Sequence, residues 1–158
     1  MIIPVEIRPP QPQEQAAMYY QRWLVLRHPL GKPMGSEQDD FDQTQGTHYR
    51  VALKENTIVG SARLRLFDSG EGSIAYVAVL PDFARQGIGR QLIHHLLKIA
   101  QQQQLATVGL KARVSAQTFY EKLGFQATSA LFNYLDIPHV EMQIALSATP
   151  GELRNELL

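Results

Sequence analysis

The 158-residue chain contains no cysteine. That one absence excludes disulfide bonds, thiolate metal sites and a cysteine acyl-enzyme intermediate. No stretch approaches about 18 consecutive apolar residues, so a transmembrane helix is not expected. The segment MIIPVEIRPP at the start has neither a charged leader region nor a cleavage site, so a secretory signal is not expected either. Net charge is missing too: 15 Lys and Arg stand against 15 Asp and Glu. Such a balance offers no overall attraction to nucleic acid or to an anionic membrane, and neither partner is expected. Charged residues make up only 19% while hydrophobic ones reach 44%, which suits a folded globular chain. The expectation is one cytoplasmic domain over residues 1–146 that buries roughly 68–70% of its unfolded surface. Residues 147–158 would follow as a loosely held tail.

What is present centres on Ser73–Leu97, SIAYVAVLPDFARQGIGRQLIHHLL. Ile74–Leu80 is a short apolar run rich in β-branched residues and predicts a buried strand. Pro81 ends the ladder because it has no N–H to give. Arg85-Gln86-Gly87-Ile88-Gly89-Arg90 follows, and then Leu92, Ile93, Leu96, Leu97, Ile99 and Ala100 recur at helical spacing. A strand, a glycine turn and a helix start leave backbone N–H groups facing outward at the positive end of the macrodipole. That arrangement suits an anion such as phosphate, and the glycines let it come close to the backbone. The turn is neither a P-loop nor the dinucleotide fingerprint, whose third glycine would fall on Leu92.

Elsewhere, Ile2–Arg8 predicts a strand and Gln13–His28 a helix. Its apolar stripe Ala16, Ala17, Tyr20, Trp23 and Leu24 would make Trp23 a core anchor. Leu30–Gly46 has no period and is expected to be a mobile loop with one short helix. Its acidic group Glu37, Asp39, Asp40 and Asp42 could draw a cationic amine, although such loops are more often plain surface. His48–Leu53 and Thr57–Phe67 predict a hairpin around Lys54-Glu55-Asn56, with Arg63 and Arg65 on a solvated side. Thr107–Leu110 predicts a strand, and Ser115–Leu123 a helix capped by Ser115 and closed by Gly124. Phe125–Ala127 and Asp136–Leu146 predict the last strands. Antiparallel strands followed by strand–helix–strand imply a mixed α/β sheet flanked by helices. His94 and His95 are adjacent on a helix, about 100° apart, so no metal site is expected there.

Two segments carry a family resemblance. The turn after the apolar strand and proline is similar to the [QR]-x-x-G-x-[GA] acetyl-CoA turn of the GNAT superfamily of N-acetyltransferases, with Ala84 where that family has Gln or Arg. Ala116, Phe119-Tyr120, Lys122 and Gly124-Phe125 resemble the family's A-x-x-F-Y-x-K-x-G-F segment. The resemblance implies a GNAT-like acyl-CoA N-acyltransferase fold and acetyl-CoA as co-substrate, without a metal. It places pantetheine along the backbone of Val77, Ala78 and Val79, and the pyrophosphate on Arg85, Gln86, Gly87, Ile88, Gly89 and Arg90. Tyr120 would be the general acid for the departing thiolate. The acceptor would be a small-molecule amine or a protein amino group attacked directly in a ternary complex, in a protein that many relatives suggest is a homodimer. The general base stays open. The strand glutamate of the histone-acetylating branch is Ser73 here, which leaves Glu71, His139, Glu141 or water. An alternative is an acyl-CoA-binding regulatory module of the same fold without transfer.

Overall fold

The computed structural model describes residues 4–146. Ile2, Ile3 and the tail at 147–158 therefore lie outside the described residues. The elements are β1 (Glu6–Arg8), α1 (Gln15–Leu26), β2 (Thr47–Lys54), β3 (Thr57–Leu66), β4 (Glu71–Val79), α2 (Ile88–Gln102), β5 (Thr107–Arg113), α3 (Gln117–Lys122), β6 (Gln126–Ala127), β7 (Phe132–Tyr134) and β8 (Ile137–Ala145). Among the described residues the strands form one eight-stranded sheet in the order β1-β2-β3-β4-β5-β8-β6, with β7 on β8. β4 runs parallel to β5, whereas β1–β2, β2–β3, β5–β8, β6–β8 and β7–β8 are antiparallel. The sheet is mixed, as its order of elements implied.

The chain divides into two compact units. One joins Tyr76–Leu96 to the chain up to Arg65; the other joins Leu66–Ala75 to the chain from Leu97 onward. In the first, Met18 of α1 is fully buried and packs on Val51, Leu53 and Ile58. The β2–β3 register shifts between Ala52 and Leu53, so that Leu53 faces Ile58 while Ala52 faces Gly60. This bulge presents Gly60 to the head of α2. A Cβ on Gly60 would stand 3.2 Å from Ile88 Cγ2, 3.2 Å from Leu92 Cδ1 and 3.3 Å from the Ala78 carbonyl oxygen. The missing side chain is what lets helix and strand approach so closely. Ile88, Leu92, Ile93 and Leu96 are buried, the stripe that the helical spacing predicts.

Two expectations fail in this unit for one reason. α1 buries Met18, Gln21 and Arg22, whereas Ala16, Ala17 and Tyr20 are exposed and Trp23 is half-buried, donating from Nε1 to the Lys32 carbonyl at 3.0 Å. β3 is buried on both faces from Ile58 to Leu64, Arg63 included at 3% exposure. Polar side chains were assigned to solvent by their pattern, but here they meet partners inside. Arg22 and Arg63 both reach Asp42 at 3.1 Å.

In the second unit, Val108–Ile144, Leu110–Met142 and Ala112–Val140 face one another across β5 and β8, all buried. Such cross-strand apolar pairs fix the register of an antiparallel ladder. Ser115 does not cap α3: it lies in the 3-10 turn Val114–Ala116, and the cap position falls on Ala116 without a side-chain bond. Gly124 has φ +102°, the left-handed closure expected of it. β7 was not foreseen in the sequence. Its turn into β8 uses Leu135 and Asp136 at φ +54° and +59°, a geometry usually advertised by Asn-Gly or Asp-Gly.

Candidate active site

The parallel register of β4 with β5 runs from Glu71–Thr107 to Ser73–Gly109 and goes no further. Among the described residues, Val77, Ala78 and Val79 therefore have no strand partner on that side. Just before them, Tyr76 has φ +56°. Among the described residues it is the one non-glycine with positive φ inside a strand; the others lie in turns. The chain then leaves the sheet: the Leu80 N–H donates to the Val59 carbonyl at 2.8 Å, and a 3-10 turn forms at Pro81–Phe83. Arg85 and Gly87, at φ +62° and +80°, bracket Gln86 in a turn of the kind that makes successive N–H groups converge. The Gly87 carbonyl takes the first helical bond, from the Gln91 N–H at 3.0 Å. The first N–H groups of α2 thus start at an exposed turn, with the Ile88 side chain anchored beneath at 2% exposure.

Val77–Val79 and Arg85–Arg90 are thereby brought together in one unit. Nothing in the local sequence points to Lys54, yet its Nζ donates to Gln86 Oε1 at 2.7 Å and lies 5.6 Å from the Phe83 ring. A lysine at a hairpin tip carries no local signal, because only the folded hairpin brings it to this turn. Ala84 is exposed and supplies no cation. The donor set suits a pyrophosphate: open backbone at Gly87, where a Cβ would meet nothing within 4 Å, a helix start, and lysine and arginine side chains.

The Ala78 carbonyl accepts from Gln21 Nε2 at 3.1 Å, and Gln21 Oε1 in turn accepts from Ser61 Oγ at 2.6 Å. A larger polar cluster surrounds Tyr76. Arg63 holds Asp39 through Nη1 at 2.6 Å and Nη2 at 3.0 Å. Asp42 Oδ1 accepts from Arg22 and Arg63 at 3.1 Å each and from the Tyr49 hydroxyl at 2.6 Å. Glu37, 3% exposed, accepts from the Gly35 N–H and the Gln38 side chain. The capping box of the 3-10 turn Asp40–Gln43 holds the loop, and Asp39 and Asp42 are paired with buried arginines instead of being left open to a cationic amine.

Burial alone would raise the Asp42 carboxyl, but the Tyr49 hydroxyl and the Arg22 charge outweigh it, and the net shift is downward. Burial likewise opposes, and Arg63 overcomes, the shift at Asp39, which is also lowered. Carboxylates depressed in the fold add stability above the unfolded value of about 3.9 and lose it as pH falls through the folded one. Asp42→Asn should cost about 2 kcal/mol at neutral pH. That difference should shrink in urea unfolding curves as the pH falls through the folded-state value of Asp42, which lies below the ordinary carboxylate range, because the wild-type carboxyl is then neutral as well. A constant difference down to acid pH would mean that the charge is not what matters.

In the second unit, Tyr120 is 9% exposed and its ring meets Phe119 and Phe125 edge-on at 5.0 and 5.8 Å. Burial pushes its phenol up to about 12. Of the residues considered as base, Glu71 and Glu141 are exposed and His139 is 6% exposed. His139 Nδ1 lies 2.7 Å from the Ile137 carbonyl. A carbonyl can only accept, so Nδ1 carries a proton and donates it here. Among the described residues no three His, Asp or Glu side chains gather as a metal site, and no helix is long and apolar enough to cross a membrane.

Residues 13–125 match the family profile "Acetyltransferase (GNAT) family". A Bacillus subtilis (strain 168) protein carrying a provisional acetyltransferase name is 32% identical over 122 residues, 77% of this chain and 82% of that one. The [ribosomal protein bS18]-alanine N-acetyltransferase of Escherichia coli K12 is 33% identical over 98 residues, 60% of this chain and 66% of that one. The crystal structure of an acyl-CoA N-acyltransferase from Pseudomonas aeruginosa superposes with TM-score 0.79 at 26% identity, covering 90% of this chain and 99% of that one. With the strand, turn and helix on which the sequence resemblance rested now in place, the chain belongs to the GNAT acetyltransferase family as an acetyl-CoA-dependent N-acetyltransferase.

Proposed function

We propose that this chain acetylates an α-amino group by direct attack within a ternary complex. The observation that carries the reading is the continuous path from the unpaired edge of Val77–Val79 to the left-handed turn at the head of α2. An extended ligand can add to such an edge as a further strand, with its phosphates on Arg85–Arg90. Acetyl-CoA brings an acyl carbon activated as a thioester. The backbone N–H groups of Val77–Val79 polarise its carbonyl, Lys54 adds a cation at the turn, and Tyr120 donates its proton toward the sulfur.

The α-amine is favoured by the weakness of the available bases. Freeing an α-amino group of pKa about 7.8 at pH 7 costs about 1 kcal/mol, against about 4.6 kcal/mol for an alkylamine near 10.4. Ser73 stands where a strand carboxylate would supply the larger amount. An imidazole held in place at His139, or water, would serve for the smaller one. The alanine acetylated in bS18 offers no side-chain nitrogen, so that relative's acceptor is itself an α-amine.

Thiol release from acetyl-CoA should be measured with an alanine-initiated peptide, an N-blocked lysine peptide and a simple alkylamine. Turnover confined to the free amino terminus is the expected result. Preference for lysine would overturn the acceptor class. Acetyl-CoA binding without turnover on any of them would favour a sensor of the same fold.

A further inference from the structure

The left-handed residue of β4 is an aromatic one, and its side chain is held from several directions. The guanidinium carbons of Arg22, Arg63 and Arg27 lie 4.1, 4.9 and 5.6 Å from the Tyr76 ring centroid. Its hydroxyl lies 3.4 Å from Asp39 Oδ2. α1, β3 and the 37–42 loop thus converge on one strand residue. Stability alone does not account for this arrangement. Arg22 and Arg63 each bury an Nε without a partner, and buried ion clusters are commonly matched or bettered by apolar packing. A β-branched or aromatic strand residue also does not adopt positive φ unless its surroundings over-determine it.

We infer that Tyr76, with the Arg22–Asp42–Arg63–Asp39 network that clasps it, consists of positioning residues for acyl transfer. The clasp holds the left-handed turn of β4 and so sets the direction in which the N–H groups of Val77–Val79 point. Gln21 fixes the same segment from the other end through the Ala78 carbonyl. The inference rests on the reading that those N–H groups receive the thioester oxygen. It assigns the buried arginines of α1 and β3 to the aim of the strand, with no contact of their own to substrate.

Tyr76→Phe keeps the ring and its cation contacts and should retain wild-type kcat within about threefold. Tyr76→Leu removes them and should lower kcat roughly 10- to 100-fold with little change in the KM for acetyl-CoA, since a misaimed donor is felt most in the transition state. Should Tyr76→Leu fail to fold, Asp39→Asn at the half-exposed rim gives the second reading: kcat should fall with KM unchanged. Wild-type kcat in a folded Tyr76→Leu, or in Asp39→Asn where Tyr76→Leu does not fold, would overturn the clasp. An equal loss in Tyr76→Phe and Tyr76→Leu would also overturn it, in favour of a role for the hydroxyl. Gly87→Glu separates this from the reading beneath it. If that variant still binds acetyl-CoA normally, the co-substrate site itself is wrong; if binding is lost there while Tyr76→Leu keeps its kcat, only the clasp falls.

Discussion

Tyr120→Phe is expected to lower kcat by roughly 10²-fold or more while leaving acetyl-CoA affinity within about twofold. The substitution removes one oxygen and keeps the ring that packs on Phe119 and Phe125, so α3 should stay intact. Burial both helps and limits the residue. A phenol pushed up to about 12 keeps its proton at every ordinary assay pH. Complete transfer from there to a thiolate whose conjugate acid is about 8.5 is uphill by about 5 kcal/mol. In the proposed mechanism Tyr120 would therefore serve as a hydrogen-bond donor that eases the sulfur's departure, with the released amine proton completing the balance. A specific pH signature follows: kcat should show no descending limb from this group below about pH 10. Stopped-flow or steady-state thiol release across pH 6–9.5, for wild type and Tyr120→Phe, checks both points. A variant within threefold of wild type would remove Tyr120 from the chemistry.

Gly87→Glu is expected to weaken acetyl-CoA binding by two orders of magnitude or more. Two effects add. At φ +80° any side chain strains the backbone by about 1–2 kcal/mol, although the Cβ itself meets nothing within 4 Å. The carboxylate then faces the pyrophosphate; at about 4 Å and an effective dielectric near 20, one such pair of like charges costs about 4 kcal/mol. Gly87→Ala carries the strain alone and should bind only modestly less well, which separates conformation from charge. Isothermal titration of the three proteins, with circular dichroism to confirm folding, decides it. Equal affinities would make the turn a mere connection.

The parts of this site that the sequence disclosed are those where local chemistry and fold agree. Ile88, Leu92, Ile93 and Leu96 are apolar and buried, Gly87 is left-handed, and Gly124 closes α3. The parts it concealed are those where polarity and burial part company. Gln21 and Arg22 look like the solvent face of α1, yet they are 3% and 1% exposed because their partners lie 57 and 20 residues further along the chain. Pattern reasoning sees spacing within a segment and cannot see a distant carboxylate. Tyr76 was hidden differently: it sits in an apolar run that reads as regular strand, and its positive φ goes with contacts made to other segments. The Leu135-Asp136 turn was hidden because neither residue prefers the conformation that β7 and β8 impose.

Gly60 has a consequence for how this protein can evolve. Its absent side chain faces the Ala78 carbonyl on one strand and Ile88 and Leu92 on the helix head at the same time. A Cβ here would press by a few tenths of an ångström on β4 and on the head of α2 at once, the two segments proposed to hold the acyl group and the phosphates. In that reading one glycine gauges the spacing between the two segments. Substitution at this one position would therefore be felt by both segments together.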